Sequence, residues 1–305
     1  MRSGQGSRRR ETITNMDRDI IPGVLCVVGP TASGKSGLGY RIARQFGGEV
    51  INFDSRQIYR DFPIITDQPN YQYTATVTHW LYGFLDFYDR IDAAYFQALA
   101  REIIADVGSR NKLPILVGGT GLYLHSVLYG LDPLPQVPGE IRQEVLQEWS
   151  QKGSQHIYSH LQQVDPEYAR KIHPHDKQRI TRALEVYKAT GQPFSHWHQD
   201  SSEKVPEYDF LKFGLWVDVA SLASRLEQRI DCMLQNGAVE EVRLAWEKYP
   251  REDAHGWSAI GCFELLQYIL GRWSLEQAKK NWLRRTKKYA KRQLTWFKKE
   301  NDIHW

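Results

Sequence analysis

The stretch GPTASGKS, residues 29 to 36, constrains this chain more than any other. It fits G-x-x-x-x-G-K-[ST], a pattern whose backbone N–H groups cradle phosphate oxygens. The flanks suit that mechanism. Val24 to Val28 (VLCVV) is a short apolar run that predicts a buried strand. Leu38, Ile42 and Phe46 recur at four-residue spacing, which predicts one face of a helix. A loop between a strand end and a helix N-terminus aims amides at an anion. Gly29, Pro30, Thr31, Ala32, Ser33, Gly34, Lys35 and Ser36 are therefore the expected phosphate cradle. Lys35 supplies charge, and the Ser36 hydroxyl is the candidate ligand for Mg²⁺.

The pattern continues beyond the cradle. Gly47-Gly48 stops the helix, and Glu49 to Phe53 (EVINF) predicts a second strand. Phe96, Leu99, Ile103 and Val107 share a helical stripe, Leu113 to Val117 (LPILV) predicts a third strand, and Phe213 to Val219 a fourth. Strands alternating with helices imply a parallel sheet with both faces covered. From Pro133 onward the chain changes character. Helical patterns rich in Gln, His and Arg run to a polar segment that closes near Val205. The expected organisation is a core formed by residues 21–132 and 206–305, with a helical insertion over 133–205. From Ser221 onward everything reads as helix. Residues 1–20 are polar and Arg-rich and read as a disordered extension. A short transit peptide is the alternative reading, and Met16 is a second candidate start.

Composition narrows the setting. The three cysteines, Cys26, Cys232 and Cys262, form no C-x-x-C pair. That excludes a disulfide framework and a cysteine zinc site, and it favours a reducing, cytoplasmic compartment. No apolar run approaches the length of a membrane span. The pairs His156/His160, His173/His175 and His196/His198 lack Cys, Asp or Glu at ligand spacing, which argues against zinc.

An ATPase needs an acidic residue at a neighbouring strand end to organise its metal. The third strand instead runs into glycines, in GGTGLYL (118 to 124). Asp54 follows the second strand, in DSRQIY. One reading makes it a helix N-cap. The other makes it a carboxylate at the carboxyl end of a parallel strand, where open α/β sheets bind ligands. On the residues alone both stand.

The formal net charge of +4 is unevenly spread. Between Ala278 and Lys299 there are ten Lys or Arg and no acid, interleaved with Trp282, Tyr289, Trp296 and Phe297, so the remainder of the chain is net negative. An amphipathic helix with docked aromatics and solvated cations would explain the aromatics. It would not explain a helix of one sign, because solvated helices usually mix signs. A polyanion partner, and nucleic acid in particular, fits better.

Together, GPTASGKS, DSRQIY, GGTGLYL, IHPHDKQRITRALEVYKATG (172 to 191) and YAKRQLTWF (289 to 297) resemble the tRNA dimethylallyltransferases, also called tRNA isopentenyltransferases or the IPP transferase family. The resemblance runs from about Val24 to Phe297. It implies a P-loop NTPase-like α/β fold: a parallel sheet with helices on both faces and an inserted helical domain. It implies a monomeric enzyme, with no membrane association, that moves a dimethylallyl group from dimethylallyl diphosphate to N6 of adenosine 37 in the anticodon stem-loop. The tRNAs expected are those reading codons that begin with U. The cradle would then hold a diphosphate leaving group with Mg²⁺. Asp54 would be the base, with Lys35 and Thr120 also catalytic. Contacts to tRNA are implied for Asp54, Ser55, Arg56, Gln57, Thr120, Arg142, Gln178, Arg179, Ile180, Thr181, Arg182, Lys287, Lys288, Lys291 and Arg292.

The chain departs from the family pattern in places. IITDQPN (64 to 70) lacks a glycine and carries Gln68 where lysine is usual, which removes a cation near the expected site. His175, Cys262 and Lys287 stand where Asn, Tyr and Arg are common. Three rival readings share parts of the pattern: a P-loop small-molecule kinase, an adenylate isopentenyltransferase acting on AMP or ADP, and an RNA-binding protein with a vestigial loop.

Overall fold

The computed structural model describes residues 23–198 and 205–305. The expected N-terminal extension lies outside them. Six strands form one sheet: β1 (Val24–Val28), β2 (Glu49–Asn52), β3 (His79–Trp80), β4 (Pro114–Gly118), β5 (Phe210–Gly214) and β6 (Ile303–His304). The order is β3-β2-β4-β1-β5-β6, and every neighbouring pair is parallel. Every residue of β2 and β4 is buried, as strands covered on both faces require.

Eleven α-helices are described. They are α1 (Lys35–Phe46), α2 (Tyr71–Thr74), α3 (Ala93–Ser109), α4 (Gly121–Tyr129), α5 (Gly139–Val164), α6 (Pro166–Lys171), α7 (Lys177–Thr190), α8 (Val219–Gln235), α9 (Ala238–Lys248), α10 (Cys262–Ile269) and α11 (Leu275–Phe297). Among the described residues, no helix is long and apolar enough to cross a membrane.

Four sequence expectations shift. The fourth strand begins three residues early, because its register against β1 runs from Val24↔Phe210 to Val28↔Gly214. The apolar run 215–217 leaves the sheet, and Trp216 is 54% exposed. The C-terminal segment is not all helix, since β6 closes the sheet edge; two residues are too short to show a period. On α1 the buried face is Lys35, Gly39 and Ala43, whereas Phe46 is 62% exposed. At Gly39 the helix lies too close to Val117 of β4 for a side chain, while Leu38 and Ile42 pack against the core beside it. On α3 the buried stripe is Phe96, Ala100, Ile104 and Val107, so it includes two residues outside the expected one.

The chain divides into two compact units. One takes in the chain up to Arg90, Ala100–Gly121 and Glu207–Trp305, and holds the sheet. The other takes in Ile91–Leu99 and Leu122–Pro206. It starts earlier than the expected insertion, and the stacked rings of Phe96 and Tyr123, 4.2 Å apart, belong to it. Its core includes Val145, Ile157, Leu161, Ile180, Leu184 and Phe194. Its helices have local punctuation that the sequence requires. Asp165 and Asp176 cap α6 and α7 through the amides of Tyr168 and Arg179, and α5 breaks at Gly153.

Candidate active site

The strand order explains why three distant motifs meet. β2, β4 and β1 are consecutive neighbours, so Asp54, Thr120 and the phosphate loop leave the sheet at adjacent carboxyl ends. Two strand spacings, about 10 Å, cover all three.

The loop after β1 has the expected form. Gly34 adopts φ 91° as it enters α1, a conformation that side chains resist. Ser33 Oγ is buried with no partner, so the cradle holds an unmet polar atom suited to an oxygen-rich ligand. Lys35 is buried, with Nζ 3.3 Å from the Pro30 carbonyl. Burial pulls its ammonium below the usual lysine range; the nearby Asp54 charge opposes that, and Arg229 adds to it. Ser36 sits in the first turn of α1, half-buried. A hydroxyl oxygen is the hard donor type that Mg²⁺ accepts, so the residues present fit that ion beside a diphosphate.

Asp54 is buried and rigidly held. Asn52 grips its backbone from both sides: Asp54 N–H donates to Asn52 Oδ1 at 2.8 Å, and Asn52 Nδ2 donates to the Asp54 carbonyl at 3.2 Å. Arg56 N–H donates to Asp54 Oδ1 at 3.0 Å. No helix follows Asp54, so it caps none: residues 55–58 form a turn that one carboxylate oxygen serves, and Oδ2 remains. Ser55 N–H donates to Thr120 Oγ1 at 3.0 Å, which ties the end of β2 to the end of β4. Tyr289 from α11 brings its hydroxyl to 3.5 Å from Thr120 Oγ1. Burial, and then the Asp54 charge, push that phenol up to about 12. Arg56 lies over the Tyr289 ring at 5.8 Å and donates to the Ser258 carbonyl at 3.1 Å, while its buried Nε has no partner.

A family model described as IPP transferase matches residues 57–300. The chain belongs to the IPP transferase family. A tRNA dimethylallyltransferase of Maridesulfovibrio salexigens is 50% identical over 282 residues, 92% of each chain. The solved tRNA isopentenylpyrophosphate transferase of Bacillus halodurans is 33% identical with a TM-score of 0.67, covering 93% of this chain and 89% of that one. A eukaryotic dimethylallyltransferase captured acting on tRNA is 31% identical with a TM-score of 0.75, covering 90% and 70%. The core of this IPP transferase is a P-loop NTPase-like fold.

Other residues of this IPP transferase were not singled out by motif. Arg229 on α8 reaches the cradle and donates to Thr31 Oγ1. Its Nε donates to Asp67 Oδ2 at 3.0 Å. A cation therefore does stand beside the off-pattern segment, supplied by a helix more than 150 residues away; no local signal near Arg229 reveals it. Gln57 Nε2 is committed to the carbonyls of Thr66 and Asp67, at 3.1 and 2.5 Å. Gln293 lies inside YAKRQLTWF. Its Oε1 accepts from Thr31 N–H at 2.9 Å and its Nε2 donates to the Gly119 carbonyl at 3.0 Å, which fixes the cradle to the end of β4.

Gln293 also explains a glycine. A Cβ on residue 119 would lie 2.0 Å from Gln293 Nε2. Gly119→Ala should push Gln293 aside and cost about 1–3 kcal/mol, the usual penalty of overpacking. Thermal unfolding measures it, and an unchanged midpoint would mean that the amide relocates freely.

In the helical unit, Arg142, Gln178 and Arg179 are exposed and Arg182 is half-buried. Ile180 and Thr181 face the core of that unit, so they offer no side chain to a partner. Arg179 pairs with Asp176 at 3.6 Å and Arg182 with Glu185 at 3.4 Å. On α11, Trp282 is core, but Trp296 is 37% exposed and donates to Glu300. Lys287, Lys288, Lys291 and Arg292 are all exposed.

Proposed function

We propose that this chain is a tRNA dimethylallyltransferase that modifies N6 of adenosine 37 in tRNAs reading codons that begin with U. The observation that carries the reading is the pairing of a phosphate loop with Asp54, and not with an acidic residue at the end of β4. A loop that holds a diphosphate leaving group needs a base for the incoming nucleophile more than it needs ATPase machinery.

The bond that breaks joins C1 of the dimethylallyl group to the diphosphate oxygen. The bond that forms joins C1 to adenine N6. The N6 proton passes to Asp54 Oδ2, and the electron pair leaves with diphosphate. Adenine N6 is a weak nucleophile because its lone pair is delocalised into the ring, so a fixed carboxylate helps. Lys35, Arg229 and the loop amides stabilise charge as it gathers on diphosphate. Mg²⁺, held by Ser36 and the diphosphate, would supply further neutralisation. Thr120, with Tyr289 behind it, orients the reacting end. Adenosine 37 must leave its stacked loop to reach Asp54. Ser55, Arg56 with its unmatched Nε, and Gln57 border its path. Arg142, Gln178, Arg179 and Arg182 serve tRNA recognition, and Lys287, Lys288, Lys291 and Arg292 of α11 contact its phosphate backbone. Such an enzyme works in the cytoplasm and needs only one chain.

Incubation with labelled dimethylallyl diphosphate and unmodified tRNA, AMP, or ATP with a phosphate acceptor separates the readings. Label in tRNA is the expected result. Label in AMP would make the chain an adenylate isopentenyltransferase, and Lys35-dependent ATP turnover without prenyl transfer would make it a kinase.

A further inference from the structure

Glu241, on α9, has no part in the chemistry above, yet it grips the loop between the site's two polar arms. Ile64 N–H donates to its Oε1 at 2.6 Å and Ile65 N–H to its Oε2 at 2.8 Å. The loop also closes on itself, with Asp67 N–H bonded to the Ile64 carbonyl at 3.0 Å and Gln68 N–H to the Pro63 carbonyl at 2.9 Å. One or two residues beyond the Glu241 grip, Thr66 and Asp67 offer the groups that hold Gln57 and Arg229. Arg229 in turn reaches Thr31 in the phosphate cradle. Hydrogen bonds, joined by the short backbone from Ile65 to Asp67, therefore link one carboxylate on α9 to the cradle.

We propose that Glu241 is a positioning residue for the prenyl diphosphate donor: it straps the loop 63–68 so that Thr66 and Asp67 hold Arg229 against the phosphate loop. The proposal rests on the assignment of the donor to that loop. It accounts for a departure from the family pattern, because a segment without its usual lysine presents Asp67 to a distant arginine. Precise placement matters here, since a misplaced guanidinium stabilises the departing diphosphate poorly.

The strap also has a charge state. Burial pushes the Glu241 carboxyl up to about 7, although the two amides oppose the rise, and Asp61 adds to it. Asp61 is itself paired with Lys248 of α9 at 3.1 Å. The buried Cys262 thiol faces Glu241 from α10. On α9, Glu240 pairs with Arg243. Ionised, the carboxylate accepts from both amides. Protonated, one oxygen becomes a donor facing an N–H, and one bond is lost. The two amides hold the carboxyl below where burial alone would put it, so their grip favours the ionised form and weakens as pH falls through about 7.

The test is the donor KM at saturating tRNA for the parent enzyme, Glu241→Gln and the exposed control Glu240→Gln, from about pH 6 to about pH 8.5, which brackets this carboxyl. The ratio of Glu241→Gln to parent should be about tenfold at the alkaline end, the size of one lost charge-assisted hydrogen bond. It should shrink toward one at the acid end, where the parent has also lost that bond. Titration of the donor itself cancels in the ratio. The Glu240→Gln ratio should stay at one. A ratio of one throughout, or a raised ratio that ignores pH, overturns the strap while leaving the site reading intact. A parent enzyme that transfers no dimethylallyl group overturns the site reading, and the strap with it. Should Glu241→Gln not fold, amide hydrogen exchange of the parent answers the question. Inorganic diphosphate should increase protection at Ile64 and Ile65, and unchanged protection overturns the proposal.

Discussion

Asp54→Asn should transfer the prenyl group about 10² to 10⁴ times more slowly than the parent in single turnover, the usual cost of losing a general base. Binding of tRNA and the fold should survive. The reason lies in how the residue is held. Asn52 fixes the backbone of residue 54, and that grip does not involve the carboxylate. Arg56 N–H needs only an acceptor at Oδ1, which an amide supplies. What changes is the other side-chain atom. An amide nitrogen in place of Oδ2 donates and cannot take a proton from adenine N6. The substitution also removes the negative charge that opposes the effect of burial on Lys35, so some donor affinity should change as well. A single-turnover rate separates the two effects, because saturating donor hides the second. Turnover near the parent rate would remove Asp54 as the base.

Much of the site was legible because its parts are local. A phosphate loop needs only a strand end, glycines and a helix start, all within residues 24 to 46. Asp54 and Thr120 follow strands that declare themselves by apolar runs. What the runs do not encode is strand order, which alone makes β2, β4 and β1 neighbours. Contacts made by long polar side chains across the fold were also invisible. Arg229 sits in an ordinary amphipathic helix, and its role depends on a loop 162 residues away. Glu241 is likewise 177 residues from the Ile64 amide it accepts. The α1 stripe was legible in part: Leu38 and Ile42 pack against the core beside the buried Gly39 and Ala43, while Phe46 points out. Tyr289 and Gln293 fell inside a motif, but only packing shows that one backs Thr120 and the other ties Thr31 to Gly119.

The basic helix gives the second large effect. Replacing Lys287, Lys288, Lys291 and Arg292 by Gln should flatten the dependence of log tRNA affinity on log salt by about three units, from a slope per phosphate contact of roughly 0.7 to 0.9. Near 0.1 M salt that amounts to about a thousandfold weaker binding, if affinity near 1 M is unchanged. The structure sorts the ten cations of this segment. Lys279 pairs with Asp231 and Arg285 with the buried Glu264, so acids from other elements neutralise two of them. Lys298 lies over the Trp216 ring at 4.5 Å. The four chosen residues are exposed, and none faces an acid among the described residues; only Arg292 has an aromatic neighbour, with Tyr289 at 5.7 Å. Solvated cations without counter-charges repel one another across a helix turn, and a polyanion relieves that repulsion. Donor KM should hardly move, because the donor belongs to the cradle. Discrimination between tRNAs should also survive, because phosphate contacts position and base contacts specify. The measurement is tRNA affinity against salt for the parent and the quadruple variant. An unchanged slope would mean that these cations serve solvation alone, and that the tRNA backbone is gripped elsewhere.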